Sequence, residues 1–371
     1  MKIEAVTLHH ISMPLVSPFE TSFGRETDRE CILIEIKSEG LTGYGECVAS
    51  RDPGYNYETT GTATHILSEF IIPIVLGSDI NDAADFQKRV SGIRGHHLAK
   101  AGVEMAIWDL LGKRSGKSLR ELFGGVREKV EVGVSVGIQS TTDGLVRSVT
   151  DYVNQGYARV KIKIKPGRDV EDAVAVRREF PDLRLQVDAN SAYSLDDVDA
   201  LKPMDKLGLL LIEQPLFEDD IWDHHKLQEQ FETPICLDES VVSHRHARYA
   251  IEMKACRVIN IKAGRLSGLH EAILVHDLCL EHKLPVWCGG MLETGIGRAS
   301  NLALASLPNF VLPADISASD RYYALDITNE IFTLNSDSTI NVPNGPGLGV
   351  TMNESAMKKF TLHKSSFIAN S

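Results

Sequence analysis

Five ionisable residues, Lys163, Asp188, Glu213, Asp238 and Lys262, recur at intervals of 25, 25, 25 and 24 residues. Each closes a short apolar run, in the order ARVKIKIK, LRLQVDAN, LLLIEQP, PICLDES and RVINIKAG. One strand-plus-helix unit fits each interval, so parallel packing of these runs would gather all five side chains at one end of a sheet. Three carboxylates brought together in apolar surroundings repel one another unless a cation holds them. An oxygen-only ligand set at Asp188, Glu213 and Asp238 suits Mg²⁺ far better than Zn²⁺, with Mn²⁺ as a workable substitute. The competing account pairs each acid with a nearby Lys or Arg in a salt-bridged layer. It serves well for any single acid and poorly for three at matched spacing.

The lysines sharpen the chemistry. ARVKIKIK alternates with the period of a strand and so directs Lys161, Lys163 and Lys165 to one face. That face could point to solvent, but strands of a closed barrel are covered on both sides and have no free edge. Lys262 lies across the mouth from Lys163. A carboxylate held by a divalent ion can take up a second negative charge when the adjacent C–H is deprotonated, and an amine is then the base. A free lysine has a pKa of about 10.4, and nearby cations, the metal and Lys161, disfavour the protonated form of Lys163.

These residues need a scaffold that repeats. From Val130 a β-branched run followed by an amphipathic segment recurs seven times, beginning with VEVGVSVGI, reaching PVWCGG, and ending on an eighth run, NFVLPADIS, without a comparable helix. Eight parallel strands imply an α/β fold of the (β/α)7β modified TIM-barrel kind. A doubly wound open sheet also alternates, but it usually has fewer strands and often carries a glycine fingerprint that is missing here. Residues 1–125 read as an α+β capping domain, with strands over Ile3–Ser12 and Cys31–Lys37 and helical material from Glu58 to Phe123. The barrel then spans 126–320. The segment 321–371 returns to strand-like and turn-rich sequence and is expected to pack on the capping domain.

Composition excludes several classes. A formal net charge of −12 over 371 residues disfavours a nucleic-acid surface, which needs clustered Lys and Arg. The six cysteines contain no CxxC pair, so neither a zinc knuckle nor a disulfide framework is expected. FIIPIVL and LGLLLI are too short to span a bilayer, and MKIEAVTLHHISM lacks the pattern of a secretion signal. The expectation is a cytoplasmic enzyme of a small carboxylate, without membrane or nucleic-acid partners, assembling as a homo-oligomer.

With KIKIKPG, VDANSAY, IEQPL, CLDES, NIKAGRLSG, VWCGGMLETGIGRA and ADISAS in that order, the chain resembles the enolase superfamily over essentially its whole length. Within it, the KxK pair and lone later lysine resemble the muconate-lactonising subgroup, and more narrowly the o-succinylbenzoate synthase and N-succinylamino acid racemase family. A lysine base with Mg²⁺ stabilising an enediolate is an established solution of that superfamily. The resemblance implies that Asp188, Glu213 and Asp238 bind Mg²⁺, that Lys163 and Lys262 are the acid/base pair, and that Lys161 tunes Lys163. It further implies supporting contacts from Asn190 and Glu239, and substrate contacts from Ser135, Arg265, Gly290 and Met291. Two loops of the capping domain, SPFETSFG with Phe19 and Phe23 and VASRDPGY around Ser50, would close over the mouth. Phe19 and Phe23 could equally be a hydrophobic staple of the cap.

The implied activity is dehydration of 2-succinyl-6-hydroxy-2,4-cyclohexadiene-1-carboxylate in menaquinone biosynthesis. Racemisation of N-succinylamino acids is the alternative, and muconate cycloisomerisation is third. Arg265 resembles the form found in racemising members. The dipeptide epimerases' DxD pair is replaced by Asp315-Ile316-Ser317, which disfavours dipeptides. Position 50 is Ser where some relatives carry a larger apolar residue. Two readings from other classes are a metal-free Schiff-base aldolase and a non-catalytic barrel; the intact set of acids and lysines speaks against the second. The thirteen histidines show no metal-ligand spacing and read as surface or helix-packing residues. GGMLETGIG lacks the phosphate-loop pattern and reads as backbone N–H contacts to a carboxylate.

Overall fold

The computed structural model describes residues 1–369; residues 370–371, at the end of the expected tail, lie outside the described residues. The chain opens with an antiparallel sheet of β1 (Ala5–Glu20), β2 (Arg25–Ser38) and β3 (Leu41–Cys47). β2 is apolar on both faces because both are covered. Ile32, Ile34 and Ile36 pack with the cap helices, whereas Cys31 and Leu33 join the core of the barrel. The strand β3 hides its period behind Gly43 and Gly45 and was not expected. A Cβ at Gly45 would lie 2.0 Å from the Gly102 carbonyl oxygen, so β3 meets the long helix His97–Ser115 backbone to backbone.

After the cap come β4 (Lys129–Glu131) and seven parallel strands: β5 (Val134–Val136), β6 (Arg159–Lys163), β7 (Arg184–Asp188), β8 (Ile212–Glu213), β9 (Ile235–Leu237), β10 (Val258–Ile261) and β11 (Val286–Cys288). They are hydrogen-bonded in sequence order as one curled sheet. β12 (Thr339–Asn341) pairs with β4, and β13 (Thr361–Ile368) adds antiparallel to β1. The end of the tail, β13, joins the capping sheet, whereas its earlier strand β12 stays with β4 beside the parallel sheet.

The eighth expected strand is not a regular one. NFVLPADIS fills the gap through isolated parallel bridges, Val286 with Phe310 on one side and Val132 with Ala314 on the other. Pro308 and Pro313 supply no backbone N–H, which prevents an unbroken ladder there. Hydrogen bonds from Ala314 N to Glu131 O (2.9 Å) and from Asp315 N to Cys288 O (2.8 Å) still tie the segment to both neighbours.

Helices return the chain between most strands and begin at side-chain caps: Thr141, Asp169, Asp220, Ser243 and Thr294 each accept from a backbone N–H of the turn they open. Between β7 and β8 the return is reduced to the short helix Val198–Leu201 with 3₁₀ turns on either side. No described helix is long and apolar enough to cross a membrane.

Candidate active site

Register explains why the ionisable residues meet. Lys163 sits opposite Asp188, and Asp188 opposite Glu213, each the last residue of its strand. Asp238 and Lys262 follow immediately after β9 and β10. All five are buried, as is Lys161. Lys165 departs from the expected stripe: it lies beyond β6, bridges back to Arg168, and pairs with Glu20 at 3.3 Å near the surface. The strand ends before its third lysine, so only two share the interior.

Each acid is gripped on both oxygens. Asp188 Oδ2 accepts from Lys163 at 2.6 Å and faces Lys161 at 3.2 Å, while Oδ1 accepts from the Asn190 N–H at 3.0 Å. Glu213 Oε2 accepts from Lys161 at 3.0 Å and Oε1 from Asn260 at 2.6 Å. Asp238 Oδ2 accepts from Lys262 at 2.7 Å, and Oδ1 meets Arg265 and the Tyr55 hydroxyl. Gln214 Oε1 accepts the Asp238 N–H at 2.9 Å. Asn190 also donates to Glu239 at 2.9 Å and accepts from Lys163 at 2.6 Å. Asn190 (φ 42°) and Gln214 (φ 36°) both occupy the left-handed region, so backbone strain accompanies the turns that aim these amides.

Among the described residues no three His, Cys, Asp or Glu side chains are gathered closely enough to hold a metal as they stand, because ammonium and guanidinium groups occupy the space between the acids. The donor set nonetheless fits a hard divalent ion. It consists of oxygen atoms only, from acids at the ends of neighbouring strands, and two of the three, Asp188 and Glu213, already have one oxygen oriented by an amide.

Environment separates the lysines. Burial lowers the Lys163 pKa against the pull of Asp188, and the Lys161 charge lowers it further. Burial also works to lower Lys161 and Lys262, but the carboxylates around Lys161, and Tyr55 with Glu213 and Glu239 around Lys262, hold both above the ordinary value. Burial raises Glu239 to about 7, despite Lys262 nearby. Asp315 is pulled the other way: Lys161 and Arg159 overcome the cost of burial and keep its carboxyl far below the usual range.

Lys161, Lys163 and Lys262 line a cavity of about 80 Å³ together with Ser135, Phe19, Phe23, Asn190, Gly290 and Met291. The three acids stand behind the amines and do not line it. Arg265 also stands apart: it is buried behind Tyr55, donating to Val241 O at 2.8 Å and Tyr55 Oη at 3.3 Å, and borders a second space of about 970 Å³ instead. Phe23, Tyr55 and Asn190 border both spaces. Glu239 belongs to the outer one. The Met291 N–H is taken by Glu293 at 2.8 Å, so GGMLETGIG does not present that donor to a ligand. Small-molecule sites usually measure about 300–1,000 Å³, so a substrate needs the Phe23 and Tyr55 loops to shift outward.

Sequence reasoning passed over Arg159 and Asn260, and gave no role to Asp315, noted only beside the missing second acid of the DxD pair, or to Tyr55, which ends the loop expected over the mouth. Tyr55 donates to or accepts from three site residues, and Lys262 lies 4.4 Å from its ring centre. The resemblance places its loop over the mouth, but nothing local says that Tyr55 itself reaches down to Asp238 and Lys262. Asn260 carried a signal, since it lies two residues before Lys262 and so on the same face of its strand. The histidines behave as packing residues where they are buried: His224 accepts the Leu216 N–H at 3.1 Å and His276 accepts that of Asn309 at 3.0 Å.

A capped barrel-like sheet with paired acids and lysines at the C-terminal ends of its strands defines a class of carboxylate-processing enzyme. Residues 2–124 match the mandelate racemase / muconate lactonizing enzyme N-terminal domain, and residues 144–356 match the enolase C-terminal domain-like family. The chain belongs to the enolase superfamily, whose enzymes generally use Mg²⁺. It is 47% identical to an o-succinylbenzoate synthase of Geobacillus kaustophilus, covering 97% of this chain and 96% of that one. It is 49% identical to an N-succinylamino acid racemase of an Amycolatopsis species, covering 94% and 95%. A crystal structure of an enolase-superfamily member from Listeria innocua superposes with a TM-score of 0.95 at 41% identity over 100% of both chains.

Proposed function

We propose that this chain is a Mg²⁺-dependent o-succinylbenzoate synthase, with N-succinylamino acid racemisation as a second activity of the same site. The observation that carries it is the cavity shared by Lys163 and Lys262, each bonded to a different buried carboxylate, at 2.6 and 2.7 Å. Relatives of both names at 41–49% identity support the two reactions. In this reading Asp188, Glu213 and Asp238 hold Mg²⁺, or Mn²⁺ in its place, with Asn190 and Glu239 supporting them. When bound, the ion stabilises the second negative charge that develops on the substrate carboxylate.

The remaining steps belong to the side chains. Neutral Lys163 takes the α-proton of the cyclohexadiene carboxylate, and the C–H electron pair moves into the enediolate. Lys262, held as a cation, steadies that charge. The electrons then return to form the ring double bond, the C–O bond breaks, and Lys163 passes its proton to the departing hydroxyl, releasing water and the aromatic product. In racemisation the two lysines exchange roles, one removing the proton and the other delivering one to the opposite face. Phe19 and Phe23 exclude water when the cap loops close.

The same reading takes the architecture as a (β/α)7β modified TIM barrel at 126–320, a capping domain at 1–125, and a tail from 321 that completes it; the family-model limits at 124 and 144 support the first boundary. A reducing cytoplasm suits six buried, unpaired cysteines. The test is incubation of the purified protein with Mg²⁺ and each substrate in deuterated water. Conversion of the diene to o-succinylbenzoate, and α-deuteration of N-succinylamino acids with loss of optical activity, are expected. A protein that consumes neither would sink the proposal.

A further inference from the structure

Arg321 is only 8% exposed, yet among the described residues no carboxylate pairs with it. Arg159 and Arg265, equally buried, meet Asp315 and Asp238, and Arg298 gives both of its Nη atoms to carbonyl oxygens. Arg321 has a single bond, from Nη2 to Ser135 O at 2.9 Å, and its Nε is buried without an acceptor. The ring centres of Tyr322, Tyr152 and Phe19 lie 4.8, 5.0 and 5.8 Å from its Cζ. Aromatic faces offset part of the cost of a buried cation but leave the N–H groups at its edge unused. Buried donors in a native fold have partners, so this one calls for an acceptor. Beside it runs a cleft of about 350 Å³ between the end of the β1–β2 hairpin, the segment after β5 and the helix Thr142–Asn154. Arg25, exposed and also without a carboxylate partner among the described residues, borders the same cleft. Its one acid, Glu20, is already held by Lys165 at 3.3 Å. Ser148 and Gln139 donate to Gly144 O and Gly137 O, each at 3.0 Å, which leaves recognition to the two guanidinium groups.

We propose that this cleft is a second binding site, taking a small oxyanion (a carboxylate or phosphate group) between Arg321 and Arg25, and that the bound anion clamps the β1–β2 hairpin over the inner cavity. Carboxylate and phosphate share the chemistry that matters, oxygens able to accept from planar guanidinium groups. The volume suits a small organic anion. Arg25 pairs with Glu20 across the base of the hairpin tip, Phe23 lies within that tip, and Phe19 touches Arg321 while bordering the inner cavity. An anion joining the two arginines therefore ties the hairpin to the segment after the barrel, on the side away from the lysines. Binding at the cleft stands apart from the reactions proposed above; only its effect on turnover depends on them.

The test is calorimetric titration of the full chain, loaded with Mg²⁺, with inorganic phosphate and separately with succinate. Arg25→Ala should weaken binding about tenfold, the scale of one charge-assisted hydrogen bond, and Arg321→Gln by that much or more. Glu20→Gln removes the one nearby negative charge and should strengthen binding about twofold, an effect that a purely structural Arg321 does not predict. Amide hydrogen exchange over residues 20–25 should slow when the anion binds the wild type and not when it is added to Arg25→Ala. Binding of succinate alone would identify the ligand as a carboxylate, of phosphate alone as a phosphate, and of both as either. Absence of binding, or equal affinity in wild type, Arg25→Ala and Arg321→Gln, would overturn the inference, since an anion indifferent to both arginines sits elsewhere. Arg25 is exposed, so its variant decides the matter should Arg321→Gln misfold. Unchanged exchange in the anion-bound wild type would overturn the clamp. Binding that needs both arginines in a protein without turnover would uphold the cleft while removing the proposed reactions; turnover without such binding would do the reverse.

Discussion

Two regions of this molecule bury carboxylates completely and stabilise them by opposite means. At the barrel mouth Asp188, Glu213 and Asp238 are bonded to side-chain cations. At the seam between cap and barrel, Glu46 and Glu104 are bonded to helix N-termini. Glu46 accepts from the Thr294 hydroxyl at 2.7 Å and the Gly297 N–H at 2.9 Å, opening the helix Gly295–Ala305. Glu104 accepts from the N–H groups of Leu269 and His270, opening Leu269–Glu281. A side-chain cation can swing away and leave its acid to another partner; a backbone N–H at a helix terminus cannot. Exchangeable partners suit a site that must rearrange, and fixed ones suit a joint that holds the cap over the mouth.

The contrast predicts different failures. Lys163→Ala should lower α-proton exchange by about 10²–10⁴-fold while circular dichroism and Mg²⁺ affinity stay close to wild type; rapid exchange surviving in the variant would remove Lys163 as the base. Glu213→Ala should abolish Mg²⁺ binding and activity together. Asn260→Ala, which removes only the amide bonded to Glu213, should weaken metal affinity by about 10–100-fold in a calorimetric titration. An unchanged affinity would mean that Glu213 is not aimed by Asn260.

Seam substitutions should spare chemistry and cost stability. Glu104→Ala leaves the Leu269 and His270 N–H groups buried without that acceptor and should destabilise the fold by about 1–3 kcal/mol in denaturant unfolding. Turnover per folded molecule should remain within about twofold. A larger loss of turnover in fully folded protein would show that the seam reports directly to the site, and the contrast would weaken.

The mouth was legible in the sequence because its acids and lysines ride on a repeating unit. The 25-residue interval survives in the chain as a pattern, and parallel register converts it into proximity. The seam was not legible. Glu46 and Glu104 lie on a glycine-rich strand and a helix buried nearly all round, and each meets a partner more than 160 residues away. No periodicity links an isolated acid to a helix terminus in another domain. For Tyr55 and Asp315 the position was legible and the contacts were not, because these depend on a loop geometry and on a closing segment that two prolines keep from being a regular strand. Lys165 shows the converse error, a pattern that continues past the end of the element bearing it.

Acidity gives the smallest expected effect. Burial pushes Glu46 up to about 7 and Glu104 up to about 8, although the helix N–H groups that bind them pull downward. An acid whose pKa is higher in the folded than in the unfolded chain binds its proton more tightly when folded. Its contribution is complete below the ordinary carboxylate value of about 4.3 and is lost as the pH rises through 7 and 8. Stability measured by denaturant unfolding should therefore decline from pH 5 to pH 8, and Glu104→Gln, which cannot titrate, should flatten the upper part of that slope. A slope that Glu104→Gln leaves unchanged would mean that the helix terminus already keeps Glu104 ionised at pH 5, making the seam a charged joint instead of a protonated one.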